Sequence, residues 1–169
     1  MSEPTRPPPK ASRPHMPGYG ILDASSGRGL LPWSWAVERL SKTRNFWLGT
    51  TSPGGRPHMM PVWGLWLDEA FYFSTSTSST KARNLSADPR CVISTESADE
   101  AVILEGVAEE VTDASLLKPF VAAYKAKYDW DIDLSQGGIY AVRPLVAFAF
   151  IENAADFPGS ATRWRFQEG

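Results

Sequence analysis

The chain has 169 residues, 43% hydrophobic and 12% aromatic, which is enough for one domain with a sizeable core. The formal charge is −2 and the basic residues do not gather in one run, which argues against a nucleic-acid partner. No apolar run approaches the roughly 20 residues that span a bilayer, the start has no apolar signal region, and the single cysteine, Cys91, excludes an intramolecular disulfide, so no membrane partner and a cytoplasmic setting are expected.

Residues 1–31 are rich in Pro, Ser, Gly and Arg without a hydrophobic period. They read as a flexible tail, or an arm across a partner subunit, ahead of a domain over 32–169. Trp33–Leu40 has helical spacing, with Ser34 as its expected cap and Val37, Leu40 and Trp33 on one face. The period then changes to two. Phe46–Thr51 predicts a strand, Ser52-Pro53-Gly54-Gly55 a turn, and His58–Leu67 a second strand that should bulge or leave the sheet edge at Pro61 and Gly64. Asp68-Glu69 turns the chain into a third strand, Ala70–Thr75. A polar loop over residues 76–80 leads into a short helix at Lys81–Leu85 that ends before Asp88-Pro89.

Arg90–Thr95 and Ala101–Val111 read as two more strands, and Cys91 among them as a small core residue. Thr112 or Asp113 caps a helix running to about Tyr128, with Phe120 and Tyr124 among its apolar face and Pro119 disturbing its first turns. Tyr140–Val142 and Leu145–Glu152 predict strands on either side of Pro144, and Arg163–Phe166 a short last one. Six or seven strands in meander order with few helices predict a mainly β fold, an antiparallel barrel. The absence of βαβ alternation and of Gly-x-Gly-x-x-Gly disfavours a Rossmann unit.

The stretch Gly55–Arg90, GRPHMMPVWGLWLDEAFYFSTSTSSTKARNLSADPR, carries the chemistry. Met59 to Trp63 is an apolar, irregular strand that suits a flat ring. Met59 and Met60 should point oppositely, one to the core and one to the site, and Trp63 and Trp66 should lie on opposite faces. Ser74 and Thr75 end the neighbouring strand. Ser79, Thr80 and Lys81 stand at a helix start, where N–H groups, hydroxyls and an ammonium favour an anion. Two histidines and one cysteine argue against a His/Cys metal site, and no Ser/His/Asp set can be assembled. That composition is compatible with hydride transfer, in which a cofactor brings the reactivity.

Taken together, GRPH-x-x-P-V-W, the Y-F-S-T strand, the Ser-rich loop, S-x-K-A-R-N-L and D-P-R resemble the pyridoxamine 5'-phosphate oxidase-like family of FMN-binding split barrels, including its actinobacterial deazaflavin (F420) branch. The resemblance implies a split barrel acting as a homodimer that binds F420 or FMN and passes hydride to a small-molecule substrate. It implies that Lys81 holds the cofactor phosphate, that Ser79 and Thr80 assist, and that Ser74 and Thr75 lie near the phosphate and ribityl chain. His58 and Met60, Pro61, Val62 and Trp63 would line the cofactor. From its place on the helix, Arg83 reads either as a phosphate or oligoglutamate contact or as a surface arginine, and Arg56 as exposed turn charge with a cofactor tail as the alternative. Trp164, in the C-terminal Thr-Arg-Trp-Arg-Phe, would cover a ring across the dimer. His58 stands where the oxidase has an arginine and Trp63 where it has a lysine, and both departures suit the deazaflavin branch. The alternative is a non-catalytic FMN, haem or tetrapyrrole-binding protein with His58 as axial ligand.

Overall fold

A computed structural model describes residues 7–135 and 137–167. In chain order its elements are β1 (Lys10–Ser12), α1 (Trp33–Lys42), β2 (Asn45–Thr51), β3 (Pro57–Leu67), β4 (Ala70–Ser76), α2 (Thr80–Ala87), β5 (Arg90–Thr95), β6 (Glu100–Glu110), α3 (Ala114–Tyr128), β7 (Gly137–Ile151), α4 (Phe157–Ser160) and β8 (Thr162–Arg165). The strands β7, β4, β3, β2, β5 and β6 lie side by side and β6 pairs back onto β7, so six antiparallel strands close into a barrel. β8 and β1 extend β7 as a flap. The mainly β, antiparallel barrel that the period-two segments predict is therefore present.

The split in the barrel is written into β3. Pro57–Trp63 pairs with β2, whereas Gly64–Leu67 pairs with β4. The expected bulge at Pro61 is absent, because the register with β2 runs unbroken from Pro57 to Trp63. Pro61 is tolerated because this half of β3 pairs on one side only, as an edge strand does. At the next hairpin, Asp68 and Glu69 both have positive φ (45° and 62°), the pair of values that a two-residue turn needs to match strand twist.

The barrel interior is filled by alternate residues such as Phe46, Leu48, Phe71, Phe73 and Ile93. A second core forms where Phe120, Tyr124 and Tyr128 of α3 cover the outer face of β3, β4 and β7 at Leu65, Tyr72 and Ile139. Both faces of β4 are therefore covered, which is why Ala70–Phe73 is buried without alternation.

Four local expectations are corrected. Ser34 does not cap α1; Pro32 precedes its first turn with no side-chain cap, and the buried residues are Ala36 and Leu40. α3 starts where predicted, Asp113 accepting from the Ser115 N–H at 2.8 Å, and runs through Pro119 without a break. The two strands expected around Pro144 are one, β7, in which Leu145 is extra between Pro144, opposite Gly106, and Val146, opposite Glu105. Finally, residues 10–31 are held against the barrel despite their composition. β1 pairs with β8, and the Arg13 guanidinium donates to the carbonyls of Leu22, Asp23, Ser26 and Ala161 at 2.8–3.1 Å. Residues 1–6 of the expected tail lie outside the described residues.

Candidate functional site

Because β3 leaves β2 at Gly64, its edge at Pro61–Trp63 and the end of β4 part company and frame a cleft of about 430 Å³. Pro61, Val62 and Trp63 form one wall, Ser74 and Lys81 another, and Asn45 and Tyr124 complete it. Five of the residues singled out from sequence thus meet around one space.

The start of α2 is organised by Ser79. Its Oγ accepts from the Ala82 N–H at 3.1 Å and lies 3.0 Å from the Thr75 hydroxyl. Ser79 and Thr75 therefore tie the helix to the end of β4 and aim the first turn, whose leading N–H groups have no intrahelical partner. Lys81 forms no ion pair among the described residues. An ammonium, a helix start and the hydroxyl of Ser74 on one cleft are what an anionic group needs. Thr80 and Arg83 are exposed and bonded to each other, Nη2 to Oγ1 at 3.3 Å, and neither lines the cleft.

The flat wall is rigid. The Trp63 ring stacks on Tyr128 at 4.7 Å and 8°, and its Nε1–H donates to Asn45 Oδ1 at 3.2 Å. Asn45 in turn donates to Glu96 at 2.8 Å. Burial pushes the Tyr124 and Tyr128 phenols above their ordinary value, Tyr128 to about 12, so both stay protonated.

Ser74 and Tyr124 also border a second chamber of about 300 Å³, with Thr75, Ser76, Trp130, Ile132, Asp133 and Gly137. Trp130 is 60% exposed and sets its ring edge-on to Trp63 at 6.4 Å. Asn45, Tyr124 and Trp130 were not legible as site residues. Tyr124 reads as a core position of its helix, and an isolated Asn or loop Trp carries no pattern.

The remaining sequence candidates fall elsewhere. His58 lies in a separate groove of about 810 Å³ with Met59, Cys91, Val92 and Leu145, and its buried Nδ1 has no hydrogen-bond partner among the described residues. Met59 and Met60 are both exposed, so neither is the core methionine expected, and Met60 lines no part of the cleft. Trp164 is corrected outright: it is 1% exposed and packs against Trp33 inside the core, with no face left for a ligand. Cys91 is the core residue expected, its thiol pushed up to about 12 by burial and so kept unreactive. Among the described residues no group of His, Cys, Asp or Glu is placed to hold a metal ion, and no helix is long and apolar enough to cross a membrane.

A family model described as pyridoxamine 5'-phosphate oxidase matches residues 36–155. No curated protein matches the chain by sequence. Similar solved structures include an F420 reductase, 25% identical with a TM-score of 0.53, covering 65% of this chain and 93% of that one. A haem-binding protein from Mycobacterium smegmatis is also 25% identical, with a TM-score of 0.58 over 73% of this chain and 56% of that one. The haem storage protein HutZ from Vibrio cholerae, 21% identical with a TM-score of 0.56, covers 63% of this chain and 85% of that one and shares the fold.

Proposed function

The chain belongs to the pyridoxamine 5'-phosphate oxidase family, and from that premise we propose that it is an F420- or FMN-dependent oxidoreductase that transfers hydride between the bound cofactor and a small-molecule substrate. One observation carries the reading: Lys81, free of any ion pair among the described residues, shares a cleft with Ser74 and with the apolar edge Pro61-Val62-Trp63. A planar redox cofactor with an anionic tail has the same two requirements, a flat apolar wall and a charged anchor.

In this reading Lys81 and the first turn of α2 hold the anionic end, and Ser74 adds a hydroxyl. Thr75 and Ser79 act by holding that turn in place. Trp63, fixed by Tyr128 and Asn45, supplies the aromatic part of the wall against the ring. When bound, the cofactor supplies the hydride, so the protein needs no nucleophile and contributes orientation and a restricted, largely apolar space. Fluorescence titration with FMN and with F420 tests this. Tight binding of one, weakened about tenfold or more in Lys81→Ala, is expected for the loss of a charge-assisted contact. Equal binding by both proteins removes the reading.

The active form is a homodimer in this proposal. Trp47, Met59, Val92 and Leu145 are 41%, 61%, 39% and 38% exposed. Trp47 faces Pro61, and Gly49 faces both Met59 and Val92, so most of these side chains share one outer face of the barrel. A contiguous apolar face of this kind is what a second subunit covers.

A second reading has its own observation. His58 carries a ring nitrogen unpartnered among the described residues, in a largely apolar groove, and a haem-binding protein is among the similar structures. Haem held by His58 would give a Soret band on reconstitution that His58→Ala abolishes. No band in the wild type eliminates it.

A further inference from the structure

The second chamber has a different character from the cleft it adjoins. Lys81 lines only the first space. α3 ends at Tyr128, with Asp129 in the left-handed conformation (φ 52°) and the Arg44 guanidinium donating to the Lys127 carbonyl at 3.2 Å, and the segment that bears Trp130 follows. Asp133 accepts from the Ser135 N–H at 2.9 Å and from its hydroxyl at 2.6 Å, and these bonds hold its carboxyl below the ordinary value and therefore ionised. Of the cations at this end of α3, Lys125 is taken up by Asp131 at 2.8 Å and Asp129 at 3.5 Å, and Lys127 donates to the Gly64 carbonyl at 3.0 Å. Trp130 lines the second chamber, with its ring at a steep angle to Trp63 of the first and most of its surface open. An indole that exposed beside a cleft offers a stacking surface to a planar ligand.

We propose that the chamber bounded by Trp130, Ile132 and Asp133 is the subsite for the second reactant, and that it selects planar conjugated rings bearing a positive charge or an N–H donor. This rests on the functional reading above for the identity of the neighbouring occupant. Trp130 supplies the stacking surface. Asp133 supplies the charge preference, opposite in sign to that of Lys81.

Two probes of one shape and opposite charge test it: 9-aminoacridinium and anthracene-2-sulfonate, titrated by their own fluorescence into the full chain, with and without FMN or F420. With FMN or F420 filling the Lys81 cleft, the wild type is expected to bind the cation more tightly than the anion. Trp130→Ala should weaken the cation about tenfold, with Trp130→Phe recovering most of the loss. Asp133→Asn should weaken the cation about threefold and leave the anion unaffected or improved. Cofactor affinity should stay within about twofold throughout. Both changed side chains are exposed, so folding is not at stake. The proposal is overturned if Trp130→Ala leaves the cation unaffected, if the anion binds the cofactor-loaded chain as tightly as the cation or depends on Trp130 as strongly, or if cofactor affinity falls with the probe's. If the probes behave as expected while neither cofactor binds, the functional reading fails and the ring-binding chamber stands.

Discussion

Tyr128 grips Gly64 at both ends. Its hydroxyl receives the Gly64 N–H at 2.9 Å and lies 2.8 Å from the Gly64 carbonyl and 2.7 Å from that of Arg44. Gly64 is where β3 exchanges β2 for β4, so a single phenol on α3 secures the point from which the cleft opens. The same ring is the stacking partner of Trp63. Tyr128→Phe keeps the stack and leaves a buried N–H unpaired, a loss of about 1–3 kcal/mol. Thermal unfolding should show a midpoint lowered by roughly 2–4 °C per kcal/mol for a chain of this size. An unchanged midpoint would show that the clamp contributes nothing.

Gly64 itself tolerates no side chain. A Cβ there would collide with the Cζ end of the Phe71 ring, which is fully buried. Gly64→Ala is expected to cost about 1–3 kcal/mol by overpacking. It should also disturb the Trp63 wall, read as a shift in tryptophan emission of the folded variant. Wild-type stability and emission would refute this.

Lys127 donates to the Gly64 carbonyl at 3.0 Å and is pushed down to about 8, first by burial and then by the Arg44 charge. In the unfolded chain it titrates near the ordinary 10.5, so between about 8 and 10.5 the unfolded state binds the extra proton. Folding therefore gains stability from this group as pH rises through that window, and carries the full penalty below it. Lys127→Met removes the ionisable group and keeps most of the stem. Denaturant unfolding at several pH values should show wild type gaining on the variant from pH 8 to 10.5, and a constant difference would contradict the assignment.

Ser79→Ala removes the α2 cap and the link to Thr75. A loss of about 1 kcal/mol in stability is expected, together with weaker cofactor binding because the first turn loses its aim. Lys81→Ala should weaken binding and leave unfolding unchanged. If the two variants behave alike in both measurements, the division between anchor and support fails.

Val92→Asp places a charge on the outer face shared with Gly49 and Met59. Sedimentation should show the wild type as a dimer and the variant as a monomer with an unaltered circular dichroism spectrum. A monomeric wild type would remove the dimer from the proposed function.

Much of this molecule was determined locally, by the sequence alone. Short β-type segments marked most of the barrel strands, Asp68-Glu69 and Ser52-Pro53-Gly54-Gly55 marked turns, and Thr112 or Asp113 and the Ser79–Lys81 stretch marked helix starts, because these signals depend on residues a few positions apart. The motif stretch brought Pro61, Val62, Trp63, Ser74 and Lys81 together for the same reason: it is one strand, its hairpin partner and the next helix start. Only the tertiary structure decided what lies across from them. Whether Trp164 faces a ligand or the core depends on Trp33, whether His58 shares the cleft depends on where β3 leaves β2, and Tyr124 and Trp130 reach the site only because α3 packs over β3 and β4. Period two names the face a side chain takes, but the neighbour covering that face comes from a distant part of the chain, and no local pattern records it.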